Sequence, residues 1–149
     1  MNTEYFRKSL LMIETIDSYI REIDTTNIDY YDDFYPFIDE DDISLYKDVD
    51  KDVIINYTVG IFLKSGMESK KKVDIFLIMV TSYILSIKYI TDCTLYKGYN
   101  FIINFLREFN DDVIDINDRD IDNKKMVNKM MKLEWIILNK INFFTKNEI

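Results

Sequence analysis

Between Asp74 and Lys88 the chain runs through IFLIMVTSYILSI, thirteen residues without a charge. This run constrains the fold more than any other feature. It is too short for a membrane helix, which needs about 20 apolar residues. It is too long for a typical strand, and although isoleucine, valine and tyrosine abound, it contains no turn signal. The remaining reading is a helix over about Val73–Ile90 that is apolar nearly all round. Such a helix must be covered on several sides, so it is expected at the centre of the domain.

The rest of the chain supplies helices to cover it. Phe6, Leu10, Ile13, Ile16, Ile20 and Ile23 recur at spacings of three and four, which predicts an amphipathic helix over about Thr3–Ile23. Arg7, Lys8, Glu14, Asp17 and Arg21 are then expected to face water. Val53, Ile54, Tyr57, Ile61 and Phe62 suit a second helix ending near Gly66, where a glycine commonly terminates a helix. After the central helix and the loop TDCTLYKG, YNFIINFLREF reads as a short helix. NKKMVNKMMKLEWIILNKINFF reads as a long one, with Met126, Met130, Leu133, Ile137 and Ile141 in one stripe, widened by Val127, Met131 and Leu138. Trp135 is expected as a large core residue with its N–H near the rim. A chain of 149 residues is enough for one domain with a sizeable core. The expectation is one all-α domain over 1–149, with about five helices around a buried central one.

Acidity is concentrated in one place. Residues 24–52 carry eleven acids against two lysines, which exceeds the net charge of −8 of the whole chain. Tyr30, Tyr31, Phe34, Tyr35, Pro36 and Phe37 are interleaved with these acids. The stretch reads as an acidic insertion whose aromatics fold back onto the domain, with a short helix within Asp41–Val49. A docking segment for a basic partner is the alternative. Neither DEDD (Asp39–Asp42) nor NDDVIDINDRDID has the glycine and closing glutamate of a calcium loop, so both read as solvated connections and no metal site is expected.

Composition removes several kinds of chemistry. The chain has no histidine, which excludes His-dependent nucleophile systems and His-ligated zinc. Its one cysteine, Cys93, permits neither an internal disulfide nor a cysteine cluster, and suggests a reducing, intracellular setting in cytoplasm or nucleus. Gly60, Gly66 and Gly98 lie too far apart to write a phosphate-cradling loop. The acidic balance argues against nucleic acid or an anionic membrane as the main partner. The expectation is a protein that is not an enzyme, with no cofactor and no small-molecule substrate.

Two charges remain to be explained. Lys88 closes the apolar run, and Glu134 stands beside Trp135 in the last helix. Each has an ordinary explanation. A lysine in a last helical turn interacts favourably with the carbonyl end, by about 0.3–1 kcal/mol, and a glutamate on an exposed helix face needs no special role.

A resemblance gives the two charges a common one. LIMVTSYILSIKYITD resembles the third helix of a cyclin box, where an apolar run ends in a small residue, a lysine, an aromatic and one or two acids. Lys88 stands at the lysine and Tyr89 at the aromatic; Ile90 and Thr91 precede the acid Asp92. The family's fifth helix carries E-x-x-x-L-x-x-[IL]-x-F, and here Glu134, Leu138, Ile141 and Phe143 follow in that order and spacing. The resemblance covers about Val53–Phe144. The first-helix signature that forms a substrate-docking patch in some members is represented only by FRKSL (Phe6–Leu10), and there is no room for a second cyclin fold. The chain resembles a minimal single-box member of the viral or unicellular kind. The resemblance implies a regulatory subunit that binds and activates a cyclin-dependent kinase. Lys88 and Glu134 would then hold each other within a kinase-binding patch shared with Tyr89, Leu138 and Phe143. Two alternatives are a viral-type helical protein that holds a partner helix in an apolar groove, and a cyclin-fold transcription-factor module.

Overall fold

The structure is a computed structural model that describes residues 3–22, 40–65, 72–91 and 123–148, with side chains at 3–22, 44–65, 75–91 and 124–141. Five α-helices account for nearly all of them: α1 (Thr3–Glu22), α2 (Glu40–Asp48), α3 (Lys51–Lys64), α4 (Lys72–Thr91) and α5 (Asn123–Glu148). There is no strand among the described residues. The helix expected from YNFIINFLREF and the acidic connection after it lie outside them, as do residues 24–39, Gly66 and Ile23.

α4 is the axis of the molecule. Every residue from 75 to 87 is buried, and α1, α2, α3 and α5 all pack against α4. Its polar side chains do not oppose this burial, because most satisfy themselves locally. Thr81, Ser82, Ser86 and Thr91 each donate a hydrogen bond to the carbonyl four residues back, at 2.6–2.8 Å. Ser86 also meets Thr58 of α3 at 2.9 Å, which ties the two helices together inside the core. No helix among the described residues is long and apolar enough to cross a membrane.

The covering helices present the expected stripes, with corrections at seven positions. In α1, Ile13, Ile16 and Ile20 are buried, and Phe6 and Leu10 pack against the core. Phe6 meets Phe62 of α3 edge-on, with ring centroids 5.2 Å apart. Asp17, however, is fully buried rather than facing water. It lies four residues after Ile13 and three before Ile20, inside the apolar stripe. Arg21 follows it inward, and Glu14 is half-buried.

α3 starts at an Asp50 N-cap, whose carboxylate accepts from the Asp52 N–H at 3.1 Å. It ends at Ser65, whose N–H donates to the Ile61 carbonyl at 2.9 Å while its hydroxyl donates to Phe62 at 2.6 Å. The core face of α3 is formed by Ile54, Ile55, Thr58, Ile61 and Phe62. Val53 and Tyr57, expected with them, point outward. In α5 the stripe of Met126, Met130, Leu133, Ile137 and Ile141 is buried, Val127 and Leu138 flank it half-buried, and Met131 is exposed. Trp135 is 71% exposed, so it is not a core residue.

Candidate partner-binding site

The end of α4 determines where the site lies. Ile87 is buried, Lys88 is half-buried, Tyr89 is exposed and Ile90 is half-buried. The last turn therefore leaves the core one residue after the apolar run ends. The buried stripe of α5 settles the orientation of its own neighbours. Leu133 and Ile137 turn inward, which puts Glu134 and Leu138 together on the adjoining edge of the helix.

These two edges meet. Lys88 Nζ donates to Glu134 Oε1 at 2.7 Å, joining residues 46 apart in the chain. The lysine side chain is 39% exposed and the glutamate 18%. The pair is therefore reachable from outside while its anion is largely sheltered. In the free protein such a partly exposed bond adds only about 0.2–1 kcal/mol to stability. Of the five residues singled out from the sequence, Lys88, Tyr89, Glu134 and Leu138 lie in this region of α4 and α5. Phe143 is in the α5 backbone, and its side chain lies outside the described residues. Met131 and Trp135 add exposed apolar surface elsewhere on the outer side of α5. Sequence reasoning had assigned both to packing.

A second polar cluster went unseen in the sequence. Asp17 of α1 accepts from Arg21 Nε at 2.8 Å through Oδ2, and from the Tyr46 hydroxyl of α2 through Oδ1. The Tyr46 and Tyr83 hydroxyls lie 2.7 Å apart. Since Tyr46 gives its proton to Asp17, Tyr83 of α4 donates to Tyr46. The Arg21 guanidinium also stacks 4.9 Å from the Tyr46 ring centroid. Burial, reinforced by each other's proximity and by Asp17, pushes the Tyr46 hydroxyl well above the ordinary tyrosine range. Burial, then the Asp17 charge, does the same to Tyr83. Both remain protonated donors at neutral pH. The cluster binds three helices together and exposes no reactive group. The i, i+4 spacing of Asp17 and Arg21 was a sequence signal for half of it. Nothing local to Tyr46 marked the other half.

No group of side chains among the described residues has the composition to hold a metal ion. Fold and site together define an all-helical protein with a charged pair clamped across two helices at its surface and apolar side chains around it. No family model, curated protein or solved structure matches the chain.

Proposed function

We propose that the chain is a cyclin-like regulatory subunit that binds and activates a cyclin-dependent kinase. One observation carries this reading: the 2.7 Å bond between Lys88 and Glu134. The resemblance to the cyclin box requires those two side chains to meet at the surface, and neither local periodicity nor composition does. Lys88, Tyr89, Glu134 and Leu138 form the kinase-binding patch, to which the resemblance adds Phe143. Covering the patch desolvates the pair and brings it against backbone groups of the kinase, as the resemblance implies. The protein contributes no chemistry of its own. Its binding energy favours the kinase arrangement in which the mobile helix is seated and the activation loop ordered, and only this differential affinity shifts the equilibrium.

The groove-binding alternative lacks comparable support. Side chains 75–87 of α4 are all buried, so the middle of the central helix has no apolar surface to offer a partner helix.

The test is co-purification with cyclin-dependent kinases, read by mass spectrometry and by kinase activity, for wild type, Lys88→Ala and Glu134→Ala. Each substitution is expected to weaken kinase binding by about 2–5 kcal/mol, because the surviving charge is stranded in the interface. Thermal stability of the free protein should change by no more than about 1 kcal/mol. Kinase recovery that both variants leave unchanged defeats the proposal.

A further inference from the structure

The outer side of α5 carries a charge opposite to that of the whole chain. Lys125, Lys132 and Lys140 are exposed, and none of the three makes an ion pair or hydrogen bond among the described residues. Between Asn123 and Lys140 the helix has one acid, Glu134, and that acid is bonded to Lys88. Lys125 and Lys132 precede it by nine and two residues, which is about half a turn around the helix. Glu134 is therefore not placed to neutralise them. Helix stability does not account for these lysines either. α5 has no acid in its first turn, and Lys125 stands there, where the positive end of the helix disfavours a cation. α1 and α3 carry acids in that turn, Glu4 and Asp52.

Apolar side chains lie among these cations. Ile136 is exposed and stands four residues from both Lys132 and Lys140, so the three share one face. Trp135, the most exposed large apolar side chain described, stands three residues from Lys132 on the flank of that face. The line from Lys125 to Lys140 is about 22 Å long, with its lysines about two helical turns apart. A helix lying alongside would meet them with acids a heptad apart. It would set the apolar side chains between those acids against Ile136 and Trp135. We propose that this face of α5 is a docking surface for an acidic amphipathic helix of a partner protein. Lys125, Lys132 and Lys140 pair with its carboxylates, and Ile136 and Trp135 pack on its apolar side chains. Nucleic acid is a poorer occupant. A long polyanion meets the field of the whole chain, with its net charge of −8, whereas a short helix meets only this face. Ile136, between two lysines, also offers nothing to a phosphate. This inference does not depend on the kinase reading.

Trp135 is the only tryptophan of the chain, so its fluorescence reports on this face directly. The probe is a synthetic helical peptide with glutamates seven residues apart and leucines between them, titrated into the full chain. Binding is expected to shift the tryptophan emission to shorter wavelength, and to weaken as salt rises from about 50 mM to about 500 mM. Lys132→Glu is expected to keep its far-ultraviolet dichroism and melting temperature while its affinity for the peptide falls by at least about tenfold. A second peptide, with lysines in place of the glutamates, should bind Lys132→Glu better than it binds wild type, a reversal that damage to the fold would not produce. Any one of three results overturns the proposal. They are a tryptophan emission that does not move at the highest peptide concentration, a folded Lys132→Glu that binds the glutamate peptide as well as wild type, and a single-stranded oligonucleotide or anionic phospholipid vesicle that binds wild type more tightly than the glutamate peptide does.

Discussion

Asp17 is a carboxylate without exposed surface, and it is held there by a cation and a hydroxyl. Its burial makes it sensitive to losing either. Arg21→Ala strands the charge in the interior and should cost about 3–5 kcal/mol in urea unfolding. Tyr46→Phe keeps the ring and removes both the hydrogen bond to Asp17 and the acceptor of Tyr83, but leaves the ion pair in place, so it should cost less, about 1.5–3 kcal/mol. The reverse order would show that Tyr46, not Arg21, compensates the carboxylate. Asp17 also marks how far residues could be read from the sequence. Its spacing from Ile13 and Ile20 placed it on the buried face, while its charge assigned it to water, and charge was the poorer guide because Arg21 and Tyr46 were there to pair with it. Trp135 was misread in the opposite sense. It was assigned to the core by its size, although its position one residue after Glu134 carries it away from the buried stripe. Lys88 and Glu134 stand out only through the resemblance in spacing across two helices; their mutual contact has no local signature.

At the scale of elements, what could be read is what repeats. α1 and α5 have apolar stripes long enough to specify both helix and face, α4 is apolar all round and so specifies a covered helix without an outer face, and the limits of all three fall within a few residues of expectation. α3 is apolar on both sides, so periodicity identified the helix and left its rotation open; the polar contact between Thr58 and Ser86 accompanies the face that packs inward. The same helix allows two predictions of opposite sign. Asp50→Ala removes the side chain that accepts from the Asp52 N–H, and should lower stability by about 0.5–2 kcal/mol. Gly60→Ala replaces a poor helix former where a methyl group meets no obstacle, and should raise stability by roughly 1 kcal/mol. Both are measurable as shifts of the urea midpoint with an unchanged slope. A Gly60→Ala chain that is less stable than wild type would mean that the position is closed within the molecule.

For the whole molecule, the all-helical class followed from one uncharged run that had to be covered, and the helices that cover it meet at more than an apolar core. Tyr83 on the central helix, Tyr46 on α2 and Asp17 on α1 form a chain of hydrogen bonds across three elements, and its two phenol protons belong to the folded state. This couples global stability to alkaline pH. Both tyrosines have folded-state pKa values raised above the ordinary value of 10.0, chiefly by burial. Unfolded, they release their protons near pH 10; folded, they keep them to higher pH. Above about pH 10 the unfolded chain therefore binds fewer protons than the native one, and stability falls as pH rises. The contribution is fully present below the unfolded value and disappears as pH climbs through the folded ones. Melting temperature, followed together with tyrosinate absorbance from about pH 8 to about pH 11, should hold nearly level and then drop. A variant carrying Tyr46→Phe and Tyr83→Phe starts from lower stability, but it has no phenols to ionise at this junction, so its alkaline slope should be shallower than that of wild type. Equal slopes would mean that the three helices are not fastened by these protons and that the alkaline loss arises elsewhere in the chain.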